Sequence, residues 1–100
     1  MNIKVLDKLE SGWIKLDWVD YIDTIKLSHN DLETIVDLVD NFKGNRSAKE
    51  IVLFRYKYLP AYITVTRGEY TKLLDWVYSR FIDKEYYESC KRIVDIKGKL

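Results

Sequence analysis

Ile25-Lys26-Leu27-Ser28-His29-Asn30-Asp31-Leu32-Glu33-Thr34-Ile35-Val36-Asp37-Leu38-Val39 has an echo 38 residues further along the chain. The echo is Ile63-Thr64-Val65-Thr66-Arg67-Gly68-Glu69-Tyr70-Thr71-Lys72-Leu73-Leu74-Asp75-Trp76-Val77. Both stretches run apolar, polar, apolar, hydroxyl, two polar, acid, apolar, two polar, two apolar, Asp, two apolar. The hydroxyl followed three residues later by an acid is a capping box, in which each residue satisfies a backbone N–H that the first helical turn leaves open. Each stretch therefore predicts extended chain entering a capped helix.

In the first helix Ser28 is the expected N-cap, with Leu27 and Leu32 as a hydrophobic staple across it. Leu32, Ile35, Val36, Val39 and Phe42 form its apolar stripe, and Lys43-Gly44-Asn45 marks its end. In the second, Thr66 and Glu69 form the box and Val65 and Tyr70 the staple. Tyr70, Leu73, Leu74, Val77 and Phe81 form the stripe. Asp83 reads as the N-cap of a third helix running to about Val94, with Tyr87, Cys90 and Val94 facing inward, joined by Tyr86 and Ile93.

Upstream of the second helix, Ile51–Tyr58 is rich in β-branched and aromatic residues, and Leu59-Pro60-Ala61 is a turn. Strict alternation places Val52, Phe54, Tyr56, Ile63 and Val65 on one face of the resulting hairpin. Leu53, Arg55, Lys57, Tyr62 and Thr64 fall on the other. Carried back 38 residues, the same pattern makes Trp13–Val19 a strand returning through Ile22–Leu27, with Ile14, Leu16, Trp18, Ile25 and Leu27 inward. A competing possibility is that Asp17 caps a short helix through Trp18, Val19, Ile22 and Ile25, since this turn has neither Gly nor Pro. Residues 2 to 10 suit a short helix or an edge strand.

The expected fold is α+β: a four-stranded antiparallel sheet from two ββα units, helices on one face, and a C-terminal helix. Residues 1–100 make one domain, with an internal duplication suggested over 13–43 and 51–82. The chain is 47% apolar and 33% charged, an ordinary globular balance, and has no apolar run near the roughly 20 residues that span a bilayer. No membrane association is expected. The first residues lack a secretory leader pattern and Cys90 is the single cysteine, so the expected location is the cytoplasm, that of a host if the protein is viral.

Chemistry is sparsely marked. His29 is the one histidine, at a helix start with no partner set, and Cys90 falls on an apolar stripe. One Cys and one His exclude the usual soft metal site, and Asp17, Asp20 and Asp23 match no known cation-loop spacing. There is no phosphate-cradling glycine loop and no nucleophile elbow. The expectation is a protein that is not an enzyme and carries no cofactor or metal.

Charge is divided unevenly. Residues 1–45 hold five lysines against nine acids, a net −4, and residues 46–100 hold twelve cations against seven acids, a net +5. Asp17, Asp20, Asp23, Glu33, Asp37 and Asp40 form an acidic array, with Glu33, Asp37 and Asp40 on one outward helix face and Trp13 as an apolar anchor. Such an array can imitate a phosphate track on a basic partner. The expected function is a non-catalytic, protein-binding accessory factor of phage or viral type, inhibiting or redirecting a host nucleic-acid-processing complex. Small size and a Lys-, Ile-, Asp- and Tyr-rich composition motivate that setting. Alternatives are a nucleic-acid binder using Arg55, Lys57, Tyr62 and Arg67, and an immunity protein or antitoxin. The split charge also suits a homodimer.

Overall fold

A computed structural model describes residues 14–56 and 60–100. Strand β1 (Ile14–Asp17) leads into a one-turn helix α1 (Trp18–Tyr21) and a 3-10 turn (Ile22–Thr24). Helix α2 (His29–Phe42) follows, then strands β2 (Glu50–Arg55) and β3 (Ala61–Thr66), a 3-10 turn (Arg67–Glu69), and helices α3 (Tyr70–Asp83) and α4 (Tyr87–Lys97).

The α+β class stands, but the sheet is not the expected four-stranded antiparallel one. It has three strands in the order β1-β3-β2, with β3 antiparallel to β2 and parallel to β1. The second ββα unit forms. The first does not, because the chain leaves the sheet at Asp17 and coils through Thr24. Its buried residues there are Trp18 and Ile22, four apart, which is the spacing of one helical face and not of a strand. Ile14, assigned inward by alternation, is 58% exposed. Trp13, Lys57 and the segment 2–10 lie outside the described residues.

Alternation also fails inside the hairpin. Val52 pairs with Thr64 and Phe54 with Ile63, leaving Leu53 as an extra residue in a bulge. Ile51, Leu53 and Phe54 consequently join Ile63 and Val65 in the core, whereas Val52 turns to the opposite face with Thr64. Arg55 pairs with Tyr62 on that opposite face. Val52, Tyr62 and Thr64 are buried too, so both faces of β3 are shielded from water.

The helical stripes lie as their spacing requires. Leu32, Ile35, Val36 and Val39 of α2 and Tyr70, Leu73, Leu74, Val77 and Phe81 of α3 are all buried in one cluster, with Phe42 packed at its edge. The Ser28 box is complete: Asp31 N–H donates to Ser28 Oγ at 3.2 Å, and Ser28 N–H to Asp31 Oδ2 at 3.0 Å. The Thr66 box is not. Thr66 Oγ1 donates to Glu69 Oε1 at 2.9 Å instead, and a 3-10 turn intervenes before α3.

Asp83 ends α3 and does not begin α4. The turn between them is a Schellman motif: Tyr86 N–H donates to Phe81 C=O at 3.0 Å and Glu85 N–H to Ile82 C=O at 3.1 Å. Glu85 takes the left-handed conformation usually given to glycine, with φ 63°. Tyr86 and Phe81 make the apolar contact that accompanies this motif, edge to face at 6.2 Å. Helix α4 is rotated from its expected orientation. Cys90, Ile93 and Ile96 are buried, while Tyr87 (62%) and Val94 (57%) face solvent. The rotation brings Ser89 and Arg92 against α2.

Candidate protein-binding groove

The acidic face of α2 is where the structure departs furthest from a free recognition surface. Glu33, Asp37 and Asp40 do share one face, but that face meets Arg92 of α4. Arg92 Nη1 lies 2.6 Å from Asp37 Oδ1 and 3.6 Å from Glu33 Oε2, and its Nη2 lies 3.3 Å from Asp40 Oδ2. Ser89 Oγ donates to Glu33, and Lys43 Nζ to Asp40. Hydrogen bonding from Lys43, then from Arg92, holds the Asp40 carboxyl below its ordinary range against the opposing pull of burial. Burial lowers the Arg92 pKa, but Asp37 and then Asp40 outweigh it and hold the guanidinium above its usual value. These carboxylates fasten α4 to α2, and Arg92 and Lys43 offset part of their charge within the chain.

Asp23 is separated from them. It accepts from Trp76 Nε1 and from Arg80 Nη2, both at 2.9 Å, and the Arg80 guanidinium also lies 4.8 Å from the Trp76 ring centroid. Asp17 and Asp20 are exposed on β1 and α1.

Of the cationic set, Arg67 closes the C-terminal end of α2. Its Nη1 donates to Phe42 C=O at 3.1 Å and Asn45 C=O at 2.9 Å, and its Nη2 to Lys43 C=O. Phe42 and Lys43 carry carbonyls at the helix end and Asn45 lies in the turn beyond it; Phe42 C=O also accepts from Asn45 N–H at 3.1 Å and Asn45 C=O from Ala48 N–H at 3.2 Å. Tyr62 is 0% exposed and offers no ring face to a base. Arg55 is half-buried. A nucleic-acid surface combining Arg55, Tyr62 and Arg67 is therefore not assembled.

What the structure does assemble is a groove of about 600 Å³ between the 23–29 segment and the C-terminal half of α3 with its following turn. His29 and Tyr86 meet at one end as a tilted ring pair, centroids 4.2 Å apart and planes at 51°, and the His29 ring lies 5.4 Å from that of Phe81. Trp76, held by Asp23, forms the other wall, and Leu27 and Leu32 contribute apolar lining. Lys26 and Lys84 stand on the rim with no ion pair among the described residues, and Asp83 is the rim's one acid not engaged by Arg80. Ile25 N–H bonds to Ile22 C=O at 3.3 Å, but the following Lys26 and Leu27 N–H groups have no hydrogen bond among the described residues.

No pair of groups in this groove has the geometry of a nucleophile with its base. Among the described residues no cluster of His, Cys, Asp and Glu could hold a metal ion, and no helix is long and apolar enough to cross a membrane. Cys90 is buried, which pushes its thiol pKa up and makes it a poor nucleophile.

The groove draws on loop positions 23–29 and on α3 side chains that helical periodicity marks as outward, which is why no sequence motif announces it. The one available signal was Trp76, a large aromatic residue off the predicted core stripe of its helix, whereas Tyr86 is expected inward from the sequence. Comparison of the chain with known protein families, with curated proteins and with solved structures finds no match in any of the three.

Proposed function

We propose that this protein is a non-catalytic accessory factor that recognises another protein through the groove between residues 23–29 and α3. The observation that supports this is the groove itself, an aromatic-walled cleft with cations on its rim and no catalytic constellation inside it. Trp and Tyr are the side chains that most often anchor protein interfaces. With Asp23 already paired, Lys26 and Lys84 leave the mouth positive, so the segment it fits is an acidic one carrying an apolar or aromatic residue. The N–H groups of Lys26 and Leu27, which bond to no described residue, offer that segment main-chain hydrogen bonds.

Size and composition keep the setting that of a phage or viral factor acting on a host nucleic-acid-processing complex, in the cytoplasm. Arg92 and Lys43 hold Glu33, Asp37 and Asp40 in ion pairs within the fold, which disfavours an acidic-mimic mechanism. An immunity-protein or antitoxin role would use the same groove.

Affinity capture from nuclease-treated lysate tests the proposal, using the wild type beside a Lys26→Glu/Lys84→Glu chain and a Lys72→Glu surface control. The expected result is a nuclease-resistant partner retained by wild type and control and lost from the double variant. Retention that survives the double variant, or that vanishes with nuclease, overturns it.

A further inference from the structure

Strand β1 is at the edge of the sheet: it pairs with β3 on one side and with no strand among the described residues on the other. An open edge presents unpaired main-chain groups and is a template for another strand. Ile14 on the strand itself is exposed, as are Val19 (53%) and Tyr21 (37%) on the helix that follows it. We propose that β1 is a homodimerisation edge, pairing antiparallel with β1 of a second copy about a two-fold axis at Leu16.

The register follows from the main chain. Ile14 N–H donates to Pro60 C=O at 2.8 Å, so Ile14 turns its backbone groups toward β3. By alternation Leu16 does the same, and Lys15 and Asp17 direct theirs to the open edge. Antiparallel pairing must then place an odd-numbered residue opposite an odd-numbered one. Centred on Leu16, it sets Lys15 opposite Asp17 of the copy, and Asp17 opposite the copy's Lys15. Shifted by one step either way, it sets Lys15 against Lys15 or Asp17 against Asp17, and like charges directly opposite are destabilising. One register alone is self-complementary.

The bonds it would make are limited and specific. Asp17 N–H can donate to Lys15 C=O of the copy, twice by symmetry. The Asp17 carbonyl begins α1 and already serves that helical turn, so the reciprocal bonds must share it. Lys15 Nζ now lies 3.3 Å from Glu50 in an exposed pair that yields readily to a new carboxylate. Asp17 makes no side-chain capping bond, so its charge is not engaged in holding α1. None of these residues lines the groove, and the dimer can succeed or fail independently of partner binding there.

Sedimentation velocity over a concentration series tests the dimer with three preparations, each checked for wild-type folding by circular dichroism. The wild type is expected to show a concentration-dependent dimer. Asp17→Lys and Lys15→Asp each place like charges opposite one another twice and should weaken it about tenfold or more. Mixing the two variants one to one restores opposite charges at both positions, so a heterodimer of wild-type strength should return. A wild type that stays monomeric, or variants that dimerise undiminished, overturn the proposal. So does a mixture that gains nothing over its components.

Discussion

Upstream of α2 the chain leaves the sheet after four residues and coils through Thr24, whereas upstream of α3 it completes two strands before turning into the helix. The helices that follow are nearly interchangeable in length and in buried stripe, at fourteen residues each. Their ends are not. Helix α2 begins on a complete capping box and ends on a guanidinium supplied from the other half of the chain, by Arg67. Helix α3 begins on a 3-10 turn with no side-chain cap and ends on its own Schellman turn. A common pattern of residue classes is thus enough to specify a helix and which side of it is buried. It does not specify how the backbone reaches and leaves that helix.

The sharpest way to break this contrast lies in the coiled segment. Ile22→Ala removes a side chain buried to 1% exposure and should destabilise by about 2–5 kcal/mol. Ile14→Ala, at protein concentrations where the chain is monomeric, should fall within about 0.5 kcal/mol of wild type. Urea unfolding of the two variants would expose a strand at Trp13–Val19 if their order were reversed.

Arg67→Met is next in size. It keeps the aliphatic packing and removes a charged donor from two carbonyls at the end of α2 and one in the turn beyond, so roughly 1.5–3 kcal/mol should be lost. Amide exchange should quicken first at the C-terminal turn of α2 and not in α3. Uniform acceleration along the chain would mean that Arg67 does not act as a local cap.

The smallest difference compares the two hydroxyls. Ser28→Ala should cost about 1 kcal/mol, because it strands the Asp31 N–H. Thr66→Ala breaks only an exposed side-chain bond to Glu69 and should cost less than half as much, about 0.5 kcal/mol or below. Equal losses in thermal unfolding would show that the two boxes work alike in solution.

Much of this was legible in the residues themselves. The helix stripes followed from periodicity because both helices bury one face against a single core, the condition under which the pattern is informative. The hairpin followed from its β-branched content and Pro60. The bulge at Leu53 did not, since strict alternation carries no sign of an inserted residue until the partner strand is known. Trp18 and Ile22 did carry the helical spacing, and Asp17 a capping residue, but the 38-residue echo outweighed them. For the site, sequence order does not reveal that Asp23 stands apart from Glu33, Asp37 and Asp40, because its partners Trp76 and Arg80 are more than fifty residues away. The groove was invisible because its walls come from segments fifty residues apart.

Residue order alone determined the α2 and α3 helices, their buried stripes and the Ser28 cap, because those depend on side chains within about one helical turn of each other. Tertiary structure decided the parallel pairing of β1, the rotation of α4 onto Arg92, and which charges remain available. Each of these depends on distant groups meeting, and a charge is available for recognition only if no closer partner within the fold has already neutralised it.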